Sequence, residues 1–217
     1  MRRVILQKPI GYCFGVISAL EKAKEVKKQY PNSNIYVFGE LVHNSFVNEK
    51  LKELGINTVP FSSKTAIAKL KSFNKDDIVI FTAHGHPEIY NQVLEEKGIT
   101  YFDTTCVNVK ENMRLIKENL DRGVIYIGKK DHEETIASLS LGEQVILYDI
   151  KEKIDYSKVN FENPLVINQT TLSILELKEI HKEKVNTNCP SGIYKEREQI
   201  ERELNNLYTK AQRYEEI

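Results

Sequence analysis

The sequence is sparse in cysteine, carries no net charge and contains no long apolar run, and each lack excludes something. Lysine plus arginine and aspartate plus glutamate both number 31, so the formal net charge is zero. There is no bulk electrostatic case for a nucleic acid or a membrane surface as partner. No stretch approaches the roughly 20 apolar residues that cross a bilayer. After Met1-Arg2-Arg3 only a few apolar residues precede Lys8-Pro9, too short a run for a secretory signal. The expected address is the cytoplasm. Three cysteines is an odd number, and no two are close in sequence. In a reducing compartment that argues against a disulfide framework, and the short paired spacing of structural zinc sites is missing. With 217 residues, 29% of them charged, the chain has the length and composition to bury a substantial core.

The cysteines recur at one structural point. Cys13 follows the strand-like Val4-Ile5-Leu6, within Gly11-Tyr12-Cys13-Phe14-Gly15. Cys106 follows strand 99–102, within Asp103-Thr104-Thr105-Cys106. Cys189, like the other two, opens a helical pattern, here with Ile193, Ile200, Leu204 and Leu207 on one face. A helix N-terminus favours a thiolate, the form that binds metal. Three such thiolates can hold three irons of a cubane cluster and leave the fourth iron open. The bland alternative is that each is a small buried hydrophobe.

Between the cysteines, strands alternate with helices. Strands are predicted at 35–38, 78–81, 124–127, 145–148 and 165–167. Helices are predicted over 16–29, from Asn44 through Leu54, over 87–96, from Cys106 through Leu120, after His132, and over 173–182. This alternation predicts an α/β fold with parallel sheets. The restarts at the cysteines divide the chain into a first α/β sub-domain, 1–105, a second, 106–188, and the opening helix of a third, 189–217.

In open α/β sheets, ligands gather beyond the carboxyl ends of the strands. His43, His84 and His132 all fall there. Three histidines in one place can hold zinc or donate to an anion such as a diphosphate. His86 and His181 lack this placement. Glu134, two residues after His132, is either an acid beside a substrate or a solvated first-turn glutamate that favours the helix dipole. Thr170-Thr171 presents two hydroxyls at a strand end, or else simply caps a helix.

Taken in order, Gly11-Tyr12-Cys13-Phe14-Gly15-Val16, Glu40-Leu41-Val42-His43-Asn44, Thr82-Ala83-His84-Gly85, Asp103-Thr104-Thr105-Cys106, Ile127-Gly128 through His132 and Glu134, and Asn168-Gln169-Thr170-Thr171-Leu172-Ser173 resemble the 4-hydroxy-3-methylbut-2-enyl diphosphate reductases of the non-mevalonate isoprenoid pathway. The resemblance covers roughly residues 1–190. It implies a trefoil of α/β sub-domains around a [4Fe-4S] cluster held by Cys13, Cys106 and Cys189. His43, His84 and His132, with Asn44, would line the substrate's diphosphate pocket. Glu134 would supply protons, with His132 near the substrate hydroxyl and Thr170 or Thr171 organising the relay. An external electron donor such as ferredoxin or flavodoxin is implied. The family's third sub-domain carries a Ser-Ser-Asn-type phosphate-binding segment, which has no counterpart before Ile217. Two further expectations follow: a polypeptide that supplies this part, making the chain one half of a split reductase, or a catalytically weak relative that binds a cluster or diphosphate.

Overall fold

The first strand whose structure is described is Ile35-Tyr36-Val37-Phe38, and its alternation shows how the core is laid out. In a strand, successive side chains point to opposite faces. Ile35 and Val37 are buried with Ala19, Ala23, Val26, Val47 and Leu51, while Phe38 is buried with Ala66, Leu70, Tyr90 and Leu94. Both faces of the sheet are therefore covered by helices, and its strands read as continuous apolar runs, as parallel strands do. The computed structural model describes residues 12–42, 44–152, 161, 163–173 and 177.

The element order is α1 (Phe14–Gln29), β1 (Ile35–Phe38), α2 (Ser45–Glu53), β2 (Ile56–Val59), α3 (Ala66–Ser72), β3 (Ile78–Phe81), α4 (Glu88–Glu96), β4 (Thr100–Asp103), α5 (Val107–Glu118), β5 (Val124–Gly128), α6 (Glu133–Leu139), β6 (Val145–Asp149) and β7 (Leu165–Asn168). One sheet has the order β2-β1-β3-β4 and the other β6-β5-β7. Every pairing is parallel, with Ile35 opposite both Ile56 and Ile78, and Val124 opposite both Val145 and Leu165. Both sheets belong to one compact unit, Met1–Ile174; Leu175–Ile217 form a second, in which Leu177 is described and is helical. Among the described residues no helix is long and apolar enough to cross a membrane.

The parallel α/β class is the one predicted. Two elements were missed, β2 and α3. Their signals are short: a β-branched run, Ile56 to Val59, between Gly55 and Pro60, and Ala66 and Leu70 one helical turn apart. Gly55 ends α2 with φ of 75°, a left-handed conformation that favours glycine. The predicted strand at 4–6 and the helix opened by Cys189 lie outside the described residues, as does the helix at 173–182 apart from Leu177.

Strand order also marks where a ligand site is expected. β1 leads outward to β2 on one side, and β3 outward to β4 on the other. The crevice between the carboxyl ends of β1 and β3 is therefore a topological switch point, where α/β sheets bind ligands.

Candidate functional site

Cys13 is the N-cap of α1 and Cys106 the N-cap of α5, and neither side chain makes a capping hydrogen bond. The residue between them in space is Gly15. A Cβ placed there would lie 2.6 Å from the Cys106 sulfur and 4.0 Å from the Cys13 sulfur. The two thiols thus converge on a cradle that exists because residue 15 has no side chain. The Cys106 turn is held from the first sheet: its N–H donates to the Ala83 carbonyl at 3.0 Å, and the Thr104 hydroxyl donates to the Phe81 carbonyl at 2.6 Å. Asp103 accepts from the Thr105 N–H at 2.8 Å and from its hydroxyl, and pairs with Lys110 at 2.8 Å. Burial pushes the Asp103 carboxyl up, but the Lys110 and Thr105 hydrogen bonds outweigh it and leave the group below the usual carboxylate range. Among the described residues no three His, Cys, Asp or Glu side chains gather as a metal-binding group. Cys189, the third expected ligand, lies outside them.

Glu134 is 0% exposed, which rules out the solvated first-turn reading. Its Oε1 accepts from the Thr170 N–H at 2.9 Å and the Tyr126 hydroxyl at 3.1 Å, and its Oε2 from the Thr170 hydroxyl at 2.8 Å. Burial holds the carboxyl above the ordinary glutamate value, against hydrogen bonds from Thr170, Tyr126 and Asn112 that pull it down. The Tyr126 hydroxyl is raised as well, by burial and then by the charge of Glu134. Thr170 is an exposed residue, and its hydroxyl is bonded to the buried acid. Thr171 does something else: its hydroxyl accepts from the Gln169 side-chain amide at 2.6 Å. Gln169, itself buried, accepts the Lys129 N–H at 3.0 Å and so ties the end of β7 to the end of β5.

His132 is the N-cap of α6, and its Nδ1 accepts the Glu134 N–H at 3.1 Å. That bond leaves the ring proton on Nε2, where it is a donor. His84, buried at the switch point, meets His132 edge to face with ring centroids 5.2 Å apart. Gly85, at φ of 82°, passes tightly between α5 and α6; a Cβ there would lie 3.1 Å from Val109 and 3.5 Å from Ala137. Asn112, further along the helix that Cys106 opens, donates to the Asn168 carbonyl at 3.0 Å and also reaches Glu134.

Asn44 caps α2: its side-chain Oδ1 accepts the Val47 N–H at 3.1 Å. His43 lies outside the described residues. His86 is a packing residue, stacked on Phe81 with centroids 3.7 Å apart and bonded to Asn91 at 2.8 Å. Burial lowers its pKa. Tyr126, Asn112 and Glu133 were not singled out from the sequence. For Tyr126 there was a signal: a phenol within the otherwise aliphatic Val124-Ile125-Tyr126-Ile127 needs a partner when buried.

Fold and site define a parallel α/β protein with a convergent thiol pair at two helix starts and, at the strand ends, a buried carboxyl whose pKa burial raises. The model of the LytB protein family matches residues 4–207, and the chain belongs to that family. It is 39% identical over 186 residues to a 4-hydroxy-3-methylbut-2-enyl diphosphate reductase of Malacoplasma penetrans, covering 82% of this chain and 62% of that protein. With the Bacillus subtilis enzyme of the same name it shares 37% over 189 residues, covering 83% and 59%. Among solved structures, the E-1-hydroxy-2-methyl-but-2-enyl-4-diphosphate reductase of Plasmodium falciparum superposes with a TM-score of 0.70 at 26% identity, over 82% of this chain and 55% of that one. These reductases are trefoil α/β proteins, and the chain shares their fold over the part it covers. It spans about three fifths of the length of the curated relatives it matches.

Proposed function

We propose that the chain carries out the reductive dehydroxylation of 4-hydroxy-3-methylbut-2-enyl diphosphate to isopentenyl and dimethylallyl diphosphate. The observation that carries this reading is the convergence of the Cys13 and Cys106 thiols over Gly15, both free of capping bonds. A soft thiolate set of this kind fits an iron–sulfur group. Cys13, Cys106 and Cys189 would hold a [4Fe-4S] cluster. When bound, that group supplies electrons received from a donor such as ferredoxin or flavodoxin, and a Lewis-acidic iron without a protein ligand for the leaving oxygen. The sub-domain division 1–105, 106–188 and 189–217 belongs to the same reading, as does a reducing, cytoplasmic address.

The chain's own residues account for binding and proton supply. The substrate takes up two electrons and two protons: the allylic C–O bond breaks, one proton leaves with the hydroxyl as water, and the other goes to carbon. Burial disfavours the charged form of Glu134 and raises its pKa, which suits the carboxyl to carry a proton to the substrate. The Thr170 hydroxyl, 2.8 Å from Oε2, is the outlet for that proton and the inlet for its replacement. His84 and His132, with His43, donate to the diphosphate, where N–H donors on anionic oxygen are strong. Asn44 belongs to the same pocket in this reading through its Nδ2, since its Oδ1 is engaged by α2.

Exposed apolar residues rim the thiol pair: Phe14 is 71% exposed and Val107 59%, with Tyr12 and Ile17 beside them. A polypeptide supplying the remaining length of the relatives, in this or another chain, would cover them and wall the diphosphate from water. The isolated chain is therefore expected to bind substrate weakly and to gain when that polypeptide is added. Anaerobic reconstitution, iron and sulfide analysis and Mössbauer spectroscopy test the cluster, and stoichiometric zinc without sulfide would overturn it. Substrate titration with and without the added polypeptide tests the rest; tight binding and full turnover by the monomeric chain would show that no further wall is needed.

A further inference from the structure

Glu133 follows the N-cap of α6 and turns away from its neighbour Glu134, toward the first sheet. Its Oε2 accepts the Thr82 hydroxyl at 2.6 Å, just beyond the end of β3. Its Oε1 lies over Gly39, just beyond the end of β1, where a Cβ would come within 2.5 Å. Gly39 has φ of 95°, so a side chain there would be strained, and its Cβ would push the Glu133 carboxylate from its place. One carboxylate on the second sheet's helix thus closes over both strand ends that form the switch point of the first.

The consequence falls on the two histidines. The Thr82 oxygen that donates to Glu133 also accepts the His84 N–H, at 3.4 Å. His84 is two residues beyond Thr82, and His132 immediately precedes Glu133. The Thr82–Glu133 bond is therefore a direct link between the segments that carry the two rings, which meet 5.2 Å apart at 79°. We propose that Glu133 is a positioning residue, a latch between the sheets that sets the His84–His132 geometry and with it the spacing of the donors offered to an anion.

The role in anion binding rests on the function proposed above; the ring geometry does not. Two readouts on the full chain separate them. The first is the inter-ring nuclear Overhauser effect between His84 and His132, with ring signals assigned by single His→Gln variants. It is expected in the wild type, lost in Glu133→Ala and in Thr82→Val, and kept in Glu133→Gln, whose amide oxygen reaches the same hydroxyl. Glu133→Asp, one methylene shorter, should lose it. The second is calorimetric titration with inorganic diphosphate. Each disabling variant should weaken binding about tenfold, the loss expected for one hydrogen bond. The double variant should lose no more than the worse single, because both remove one interaction. An unchanged ring contact in both Glu133→Ala and Thr82→Val would overturn the latch, and so would Glu133→Gln behaving as Glu133→Ala. A wild type that shows the ring contact but does not bind diphosphate would overturn the anion site and leave the latch standing.

Discussion

Replacing Gly15 by alanine separates a thiol cradle from an ordinary helix start. Gly15 has helical backbone within α1, so alanine should favour the helix, by at most about 1 kcal/mol. Against this, the new Cβ would stand 2.6 Å from the Cys106 sulfur and 3.2 Å from its Cβ. Ordinary contacts between carbon atoms are about 3.5–4.0 Å, so the sulfur must retreat by roughly 1 Å or more. Cys106 is half-buried and its sulfur is the end of a short side chain, so rotation about χ1 relieves most of the clash. Residual overpacking of about 1–3 kcal/mol, less the helix gain, leaves a net loss of about 0–2 kcal/mol. That corresponds to a fall in Tm of no more than about 8 °C for a domain of this size. The rotation that spares the fold carries the Cys106 sulfur away from Cys13. The variant should therefore keep its circular-dichroism spectrum and most of its stability, yet after anaerobic reconstitution hold well under half the wild-type iron and acid-labile sulfide. Wild-type iron and sulfide content would refute the reasoning, because the two sulfurs would then not share that space. A loss of iron that occurs only together with global unfolding would refute it too.

Three other outcomes are expected. Glu134→Gln should lower turnover by roughly 10²-fold or more with the iron content unchanged. Because burial raises the Glu134 pKa in the folded chain above the ordinary value of 4.5, its proton favours folding below that pH and the benefit is lost as pH rises through the folded value. The variant should therefore gain Tm relative to the wild type as pH rises from 4 to 8, and a constant difference would contradict this. Thr170→Val should slow turnover more than Thr171→Val, because only Thr170 bonds Glu134, at a stability cost of about 0.5–1 kcal/mol read by urea melts. Cys13→Ser, Cys106→Ser and Cys189→Ser should each lower iron and sulfide content on reconstitution, since a hydroxyl is a poor ligand for soft centres; full occupancy in the Cys189 variant would remove that residue from the ligand set.

The positions of many candidate site residues were legible in the sequence because they follow strand ends, and strand ends are visible as apolar runs stopped by glycine or polar residues. Gly39 after Phe38, Thr82 after Phe81 and Gly128 after Ile127 each mark one. The reading was weakest where a residue's own position is unremarkable. Glu133 reads as one more first-turn acid, and its bond to Thr82 joins segments far apart in the chain. Asn112 sits mid-helix with no local signal, yet bridges the Cys106 helix to Glu134 and Asn168.

The sequence by itself determined the alternation of strands and helices apart from β2 and α3, the parallel α/β class and the placement of Cys13 and Cys106 at helix starts. These follow from side-chain periodicity and from the need to cover both faces of each sheet, which are local properties. Whether Glu134 is a solvated ornament or a buried acid was decided only by the tertiary structure, because burial depends on what β5 and β7 bring over it. The same holds for the choice between Thr170 and Thr171, for the meeting of His84 with His132, and for the convergence of two thiols over Gly15. Each depends on distances across sheets, and no spacing along the chain encodes those.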